Sequence, residues 1–432
     1  MIWNERLETM SRADMRSLQL RRLKKAVAKA YETSAIYREK FDAIGLKPAH
    51  IKTLADMRHI PFTVKDDLRN AYPFAMFQTP MNKVVRIHAS SGTTGKPTVV
   101  GYTKKDLDMW SEGMARLICM SGVTEEDIAQ IAFGYGMFTG AFGLHYGLEK
   151  VGCAVIPASA GNTERQLMFM RDFGTTVLVG TPSYALYIAE TAEKLGIDVK
   201  NDLKLRVGLF GGEGHSEKMR AEIEQRLNIL ATENYGLSEI IGPGVSGECT
   251  EKAGMHINED FFIPEIINPE TGEVLPCGEK GELVITAVTK EALPILRYRT
   301  HDITWLEEEP CKCGRTLVRM GKVQGRSDDM LIIRGVNVFP SQIEEVLHQV
   351  KEVGSNYEII VSRENYLDHM EILVELIDAS VLERYSELEK LTDRIRERLR
   401  TMLLLDAKVR LVQPMSLKRF EGKAKRVTDL RK

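Results

Sequence analysis

Residues 90–97 read Ser-Ser-Gly-Thr-Thr-Gly-Lys-Pro, a segment that combines four hydroxyl groups, two glycines and one lysine. Glycine lets the backbone approach phosphate oxygens closely, hydroxyl groups donate hydrogen bonds, and the lysine supplies positive charge. The segment is not a Walker A loop, because only two residues separate its glycines and Pro97 replaces the Ser or Thr that would bind Mg²⁺. Clusters of Gly, Ser and Thr are often plain turns. The lysine and the four hydroxyls favour a phosphate-binding loop over that alternative.

Three cysteines and one histidine have types and spacings that suit a metal site. Cys311 and Cys313 flank a single residue, and Cys249 and His256 lie upstream with six residues between them. Three thiolates and one imidazole would form a closed tetrahedral site, which is typical of structural zinc. The alternatives are two exposed thiols with an unrelated buried cysteine, or a His256 that belongs to the active site, since Asp260 is close in sequence.

Bulky and minimal side chains alternate in the segment Phe-Gly-Tyr-Gly-Met-Phe-Thr-Gly at residues 133–140. One interpretation is a glycine-rich loop whose aromatic residues join the core, as Phe and Met usually do. The other is a flat apolar slot, in which Gly136 leaves room and Tyr135 or Phe138 packs on an aromatic ring. Such a slot suits an aryl acid better than a long fatty chain. The segment does not distinguish among arylacetic acids.

Composition excludes several classes of function. The 59 Lys and Arg residues are balanced by 61 Asp and Glu residues, so the net charge of -2 argues against a nucleic-acid-binding protein. No run of 18 apolar residues is present, and the charged N-terminus lacks the apolar core of a signal peptide. Six cysteines in 432 residues are too sparse for a disulfide framework, so we expect a cytoplasmic protein. The basic tail at residues 418–432 is typical of a solvated terminus.

The elements that position these residues follow from the hydrophobic pattern. Between about residues 84 and 290, short apolar runs alternate with helical stretches and several end in Gly or Ser, which predicts an α/β domain with ligands outside the strand ends. Ser11 with Asp14 predicts a helix start. From about residue 328 the pattern predicts a small α+β domain. Its first helix has a predicted capping box at Ser341 and Glu344, and its long charged helix spans about residues 381–403. We predict domains at residues 1–327 and 328–432.

The phosphate-loop segment, with the preceding residues 86–90, resembles the phosphate loop of the adenylate-forming superfamily of acyl-CoA synthetases, adenylation domains and luciferases. Nearly the whole chain resembles the phenylacetate–CoA ligase family of that superfamily. The resemblance implies a large N-terminal domain, a mobile C-terminal domain, ATP, Mg²⁺ and coenzyme A. It also implies an acyl-adenylate intermediate with release of AMP and pyrophosphate. The residues it assigns to the phosphate loop are Ser90, Ser91, Gly92, Thr93, Thr94, Gly95 and Lys96.

The segment Asn-Tyr-Gly-Leu-Ser-Glu at residues 234–239 is similar to the central motif of the superfamily. By that resemblance Tyr235 stacks on adenine, Ser238 contacts phosphate and Glu239 helps to bind Mg²⁺, a hard ion that favours carboxylates. The resemblance also implies nucleotide contacts for Asn234, Gly236, Gly212, Glu213, Asp302 and Arg326. Among these, Asp302 would accept hydrogen bonds from the ribose hydroxyls. The family often has Gly at the position of His301, which leaves that histidine without a role.

The resemblance places three further functions in the C-terminal domain. Asp328 would be the hinge about which the domain rotates, and Gly335 would leave room for the pantetheine arm of coenzyme A. Lys423 would bridge the substrate carboxylate and the α-phosphate during adenylation. Lys425 is its competitor, and the spacing from Gly422 favours Lys423.

Four alternatives stay open at this point. The acyl group could be passed to the thiol of a carrier protein instead of coenzyme A, or the acid could be a related arylacetate such as indoleacetate. A non-catalytic nucleotide-binding protein would be expected to lose the lysine or the Mg²⁺-binding position, yet Lys423 and Glu239 are both present. Nucleic-acid binding has little support beyond the basic tail. We also expect a homodimer, because relatives often form one.

Overall fold

The fold was analysed in a computed structural model, which describes residues 1–90, 97–327, 331–334, 336–364, 367–403, 405–420 and 424–431. Several sequence predictions fall outside the described residues: those for Ser91, Gly92, Thr93, Thr94, Gly95, Lys96, Asp328, Gly335 and Lys423.

The described residues contain helices distributed over both predicted domains. They are α1 (Glu5–Glu8), α2 (Arg12–Thr33), α3 (Ala35–Ala43), α4 (Lys65–Asn70), α5 (Lys104–Met120), α6 (Gly140–Val151), α7 (Thr163–Phe173), α8 (Pro182–Lys194), α9 (Val199–Asp202), α10 (Glu217–Leu227), α11 (Pro340–His348) and α12 (Tyr385–Leu403). The predicted start of α2 is confirmed, because the Ser11 side chain accepts a hydrogen bond from the Asp14 amide.

Within the described part of the chain, the strands form five separate sheets. They are β1 (Val84–Ala89), β2 (Val99–Thr103), β3 (Ile128–Ile131), β4 (Ala154–Ile156), β5 (Val177–Gly180), β6 (Val207–Phe210), β7 (Leu230–Leu237), β8 (Gly242–Glu248), β9 (Met255–Ile257), β10 (Phe262–Ile267), β11 (Gly281–Ala287), β12 (Tyr298–Thr304), β13 (Leu306–Glu307), β14 (Arg319–Met320), β15 (Leu331–Ile333), β16 (Val336–Val338), β17 (Val353–Glu364), β18 (Leu367–Leu376), β19 (Lys408–Val412) and β20 (Val427–Asp429).

The largest sheet has nine strands in the order β13-β14-β9-β8-β7-β6-β5-β3-β4. Strands β7, β6, β5, β3 and β4 are parallel, and β8 continues the sheet on the antiparallel side of β7. Strands β5 and β6 are buried along their whole length, as expected when helices cover both faces of a parallel sheet. This arrangement brings the loops that follow β3, β5, β6 and β7 to one edge of the sheet.

Two smaller sheets complete the large domain. Strands β10, β11 and β12 form an antiparallel sheet, and β1 pairs with β2 on either side of the phosphate-loop segment. The Ser90 amide donates to the Thr98 carbonyl at 2.9 Å, and the Thr98 amide donates to Ser90 Oγ at 3.0 Å. These bonds join the two ends of the loop that separates β1 from β2.

The C-terminal domain has its own core and its own four-stranded sheet in the order β19-β18-β17-β20. Helix α12 buries Leu391, Ile395 and Leu399 in this core. The capping box predicted at Ser341 and Glu344 is wrong: the helix begins at Pro340, and the Phe339 amide donates to Gln342 Oε1 at 2.9 Å. The predicted α/β fold with a large N-terminal domain and a small α+β C-terminal domain is confirmed, while the boundary at residue 328 stays a prediction.

Candidate active site

The predicted nucleotide residues gather at the carboxyl edge of the parallel strands. Gly212 and Glu213 follow β6, and the central motif occupies the end of β7. The Asn234 side chain donates to the Phe210 carbonyl at 2.7 Å, which ties the end of β7 to the end of β6. Loops at this edge are the usual ligand-binding position in open α/β sheets. The predicted location of the nucleotide site is therefore consistent with the topology.

The Asp302 carboxylate accepts hydrogen bonds from two residues that are distant from it in sequence. The Tyr235 hydroxyl donates to Asp302 Oδ2 at 2.5 Å, and an Arg326 Nη atom donates to Asp302 Oδ1 at 3.0 Å. Burial, together with the charge of Asp302, raises the pKa of Tyr235 well above its usual value, so the phenol keeps its proton. The Asp302 carboxylate is held in one orientation from two sides.

Glu239 lies beside the end of the phosphate-loop segment. Its side chain is buried, Thr98 Oγ1 donates to its Oε1 at 3.4 Å, and Lys65 Nζ lies 3.6 Å from the same oxygen. Ser238 Oγ is 3.1 Å from the hydroxyl of Thr139 at the start of α6. A buried carboxylate next to a phosphate-binding segment suits a Mg²⁺ ion that also contacts phosphate oxygens.

Two residues of this site were missed by the sequence analysis. Thr98 follows the phosphate-loop segment directly, so its position in the sequence could have identified it as a residue of the site. Lys65 comes from the start of α4, about 170 residues before Glu239, and nothing in its local sequence connects it to the site. Only the packing of α4 against the rest of the large domain brings the Lys65 ammonium group to the Glu239 carboxylate.

Lys290 is a buried cation that contacts the backbone directly after Glu239. Its Nζ donates to the Ile240 carbonyl at 2.9 Å and lies 4.6 Å from the centre of the Tyr102 ring. Burial lowers the pKa of Lys290 to about 8, although the charges of Asp106 and Glu239 oppose this shift. The lysine therefore fixes the backbone that follows Glu239.

Close packing explains why residue 236 is a glycine, and its sequence context does not reveal this. A Cβ atom at this position would lie 1.9 Å from the carbonyl oxygen of Gly242 on the adjacent strand β8. Gly212 has a φ of +83°, a conformation that favours glycine. Both glycines are needed to build the loops of the site, independently of any contact with a nucleotide.

Glu213 joins the two domains. Its Oε1 accepts a hydrogen bond from the Ser183 amide in the first turn of α8 at 2.7 Å, and its Oε2 accepts one from the Ala424 amide at 2.7 Å. Ala424 directly follows Lys423 in the sequence. The predicted nucleotide contact of Glu213 stays a prediction, while its carboxylate accepts hydrogen bonds from backbone amides of both domains.

The segment predicted as an acyl slot has one residue, Tyr135, in an aromatic cluster and two, Gly136 and Phe138, on the surface. Tyr135 is half-buried and packs edge-on against Phe142, with the ring centroids 5.3 Å apart. Gly136 is exposed, and 52% of Phe138 is exposed, so neither joins the aromatic cluster. Of the three predicted pocket residues, only Tyr135 lies against other aromatic side chains.

A hydrogen-bond relay orients the Tyr135 hydroxyl. His145 Nε2 donates to Glu149 Oε1 at 3.0 Å, because a carboxylate can only accept. In a neutral imidazole Nδ1 is then an acceptor, and the Tyr135 hydroxyl donates to it at 2.9 Å. His88 completes the cluster: its ring lies edge-on to those of Tyr102 and Phe142.

The four predicted zinc ligands lie together. Their ligand atoms are all within 4.8 Å of one another; Cys249 Sγ and Cys311 Sγ are 3.8 Å apart, and Cys313 Sγ is 3.5 Å from His256 Nε2. A tetrahedral zinc ion with Zn–S and Zn–N bonds of normal length has S···S edges of about 3.8 Å and S···N edges of about 3.5 Å. His256 therefore points at cysteines, whereas Asp260 pairs with Arg116 at 2.7 Å.

Family models match both parts of the chain. The model described as AMP-binding enzyme matches residues 20–289, and the model described as AMP-binding enzyme C-terminal domain matches residues 335–431.

The chain belongs to the AMP-binding enzyme family.

Within this family, the chain is similar over its full length to several phenylacetate-coenzyme A ligases. It is 48% identical to the one from Aromatoleum evansii over 99% of this chain and 97% of the relative. It is 47% identical to the one from Thermus thermophilus over the whole of both chains, and 48% identical to the one from Escherichia coli over 100% and 99%.

Solved structures of another AMP-binding enzyme show a similar domain arrangement. A 2-hydroxyisobutyryl-CoA ligase in the postadenylation state, bound to R3-HIB-AMP, is 28% identical and superposes with a TM-score of 0.91 over 99% of this chain and 92% of that chain. The same enzyme with 2-HIB-AMP and CoA in the thioesterification state is 29% identical over 100% and 92%, and its TM-score is 0.74. The present arrangement of the two domains therefore resembles the postadenylation state. Among the described residues, no helix combines the length and apolar character that a membrane crossing requires.

Proposed function

We propose that this chain is an AMP-forming aryl acid–CoA ligase whose first substrate is phenylacetate. The observation that carries the proposal is the full-length similarity, at 47–48% identity, to four phenylacetate-coenzyme A ligases. Two arrangements support it: Tyr235 and Arg326 both donate to Asp302, and the buried Glu239 lies beside Thr98 at the end of the phosphate-loop segment.

The first half-reaction joins the acid to AMP. A carboxylate oxygen of the acid attacks the α-phosphorus of ATP, the bond to the β-phosphate breaks, and pyrophosphate leaves with the bonding electrons. Glu239 would hold Mg²⁺, which neutralises charge on the phosphate oxygens when it is bound. Asp302, oriented by Tyr235 and Arg326, accepts hydrogen bonds from the ribose hydroxyls. Lys423 stabilises the charge that develops between carboxylate and α-phosphate.

The second half-reaction forms the thioester. The C-terminal domain turns about Asp328, which removes Lys423 and lets the thiol of coenzyme A reach the acyl carbon. Sulfur bonds to that carbon, the bond from the carbon to the phosphate oxygen of AMP breaks, AMP leaves with the bonding electrons, and the thiol proton passes to solvent. The aromatic cluster around Tyr135 and Phe142 favours an aryl group in the acid.

We also infer a structural zinc ion. Cys249, His256, Cys311 and Cys313 offer four ligand atoms at distances that fit a tetrahedral site. Zinc there would connect β8, β9 and the turn that holds Cys311 and Cys313, without a part in the chemistry. The homodimer and the cytoplasmic location expected from the sequence stay predictions.

Release of AMP from ATP, Mg²⁺ and coenzyme A tests the function directly. The panel of acids contains phenylacetate, indoleacetate, 4-hydroxyphenylacetate, benzoate, acetate and a fatty acid. We expect AMP release that depends on coenzyme A and is greatest with phenylacetate. Adenylation without transfer to coenzyme A would instead favour delivery to a carrier-protein thiol, and a preference for indoleacetate would change the assigned acid.

A further inference from the structure

The guanidinium group of Arg419 lies between carboxylates of two different domains. Its Nε and one Nη atom donate to the two oxygens of Glu190 at 3.0 Å each, and its Nη atoms donate to the two oxygens of Glu375 at 2.7 and 2.8 Å. A fifth bond reaches the Leu417 carbonyl at 3.2 Å. All the donors of the guanidinium are used, and two planar bidentate pairs of this kind require a defined geometry.

The contacts of Arg419 with the two carboxylates differ in whether they depend on the domain arrangement. Glu375 lies on β18 of the C-terminal domain, the domain that also contains Arg419, so this contact is independent of the domain arrangement. Glu190 lies on α8 of the large domain and reaches Arg419 only across the interface. The side chains of Arg419 and Glu190 are 12% and 13% exposed, so water screens this pair little.

A second contact anchors the same segment to the large domain. The Ala424 amide donates to Glu213, which also accepts from the Ser183 amide on α8. Arg419 and Ala424 are five positions apart, and Lys423 lies between them in the sequence. Carboxylates held against one large-domain helix thus bind the chain both before and after the predicted catalytic lysine.

We propose that Glu190 and Arg419 are positioning residues for adenylation, which hold the chain that precedes Lys423 in the sequence against the large domain. This inference rests on the proposed function. The domain arrangement supports it, because the ion pair forms in an arrangement that resembles the postadenylation state more than the thioesterification state. Glu190 must release Arg419 before the C-terminal domain turns, so the pair favours the first half-reaction and is not needed for the second.

The test compares Glu190→Gln with Glu193→Gln in the full-length protein. Glu193 is a matched control, because it lies on the same helix but pairs with Arg226 of the large domain and is exposed. Adenylation is measured as pyrophosphate release without coenzyme A, and thioester formation is measured from supplied phenylacetyl adenylate and coenzyme A. We expect Glu190→Gln to slow adenylation by about tenfold or more while thioester formation stays within about twofold of wild type. Glu193→Gln should match wild type in both.

Hydrogen exchange gives a readout that does not depend on the substrate. In Glu190→Gln the peptide that contains Ala424 should exchange faster, because its bond to Glu213 forms only in the docked arrangement. If wild type releases no AMP with any acid, the proposed function fails, yet this exchange still tests the ion pair. Unchanged exchange, or equal loss of both half-reactions, would overturn the proposal.

Arg419→Lys is the second variant in case Glu190→Gln does not fold. Lysine keeps the charge next to Glu375 but cannot form two bidentate pairs. The expected result is again slower adenylation with faster exchange at Ala424. A folded Arg419→Lys protein with the exchange of wild type contradicts the inference.

Discussion

The Asp302 carboxylate shows how one residue of the site is prepared before a nucleotide binds. Tyr235 and Arg326 occupy one oxygen each, so the carboxylate cannot rotate freely. A fixed acceptor loses less conformational freedom on binding than a mobile one. Arg326 compensates the charge of Asp302 in its buried position, and the Tyr235 hydroxyl donates a hydrogen bond to it.

Replacement of Asp302 by Asn should weaken ATP binding. The amide cannot accept hydrogen bonds from two ribose hydroxyls as a carboxylate does, and hydrogen bonds to charged groups contribute about 1.5–3 kcal/mol each. We expect the Kd for ATP, measured by calorimetry, to rise roughly tenfold or more. Tyr235→Phe is the comparison, because it keeps the ring and the Asp302 carboxylate and should therefore weaken ATP binding less than Asp302→Asn. An Asp302→Asn protein that binds ATP normally would exclude a ribose contact.

Lys423→Ala should abolish adenylation and leave thioester formation from preformed adenylate largely intact. The reason is that the lysine is needed where charge builds between the carboxylate and the α-phosphate, and not during attack by the thiol. Lys425→Ala is the matched control, since Lys425 is exposed and two positions away. Equal loss of the two half-reactions in Lys423→Ala would contradict a two-state cycle.

At the scale of elements, the cysteine cluster connects parts of the fold that pair weakly by themselves. Strands β9 and β14 are short, and the turn that contains Cys311 and Cys313 adjoins Arg315, whose buried guanidinium pairs with Glu8 near the N-terminus at 2.6 Å. Strands as short as these add few hydrogen bonds. A metal ion would hold this region together where the sheet alone provides little stability.

Zinc should copurify with the protein at about one ion per chain when chelators are omitted. Cys311→Ser should lose the ion and lower the Tm by roughly 5 °C or more, because binding of a structural metal contributes directly to folding. Cys277→Ser is the control, as Cys277 is exposed and outside the cluster. Metal analysis and thermal unfolding measure both effects. A wild-type protein without zinc would rule out the metal site.

At the scale of the whole molecule, the docked C-terminal domain buries titratable groups. His348 Nε2 lies 3.1 Å from the hydroxyl of Ser216 in the large domain, and Glu344 is 3.7 Å away on the same helix. Burial, with the charges of Lys218 and Arg426, lowers the pKa of His348 from 6.5 to about 4. The docked arrangement therefore contains a neutral histidine at its interface.

Acidification should lower the free energy of unfolding through His348. The unfolded chain binds a proton at this histidine between pH 6.5 and about 4 while the folded protein does not, so stability from this group is full above pH 6.5 and is lost as pH falls through about 4. We expect the Tm of wild type to fall more than that of His348→Gln between pH 7.5 and pH 5. Parallel pH profiles of the two proteins would show that His348 does not contribute.

The sequence alone was sufficient wherever a local pattern had a local cause. Short apolar runs predicted buried strands between about residues 84 and 290, as found for β6, because a strand buried on both faces must be apolar throughout. Ser11 predicted the start of α2, since its cap is made three residues away. At α11 the same logic failed, because Pro340 takes the first helical position and the cap moves to Phe339.

The sequence also predicts the residue types of the site, because nucleotide and metal chemistry restrict which side chains can serve and at what spacing. The tertiary structure alone decided which residues meet. It brought Lys65 to Glu239 and joined Glu190 to Arg419 across the domains, whereas the sequence had already predicted that Cys249, His256, Cys311 and Cys313 lie together. Such pairs are separated by tens to hundreds of residues, and their distances depend on how the sheets stack and how the domains dock. No local pattern encodes that packing, since it results from the burial of apolar surface over the whole chain.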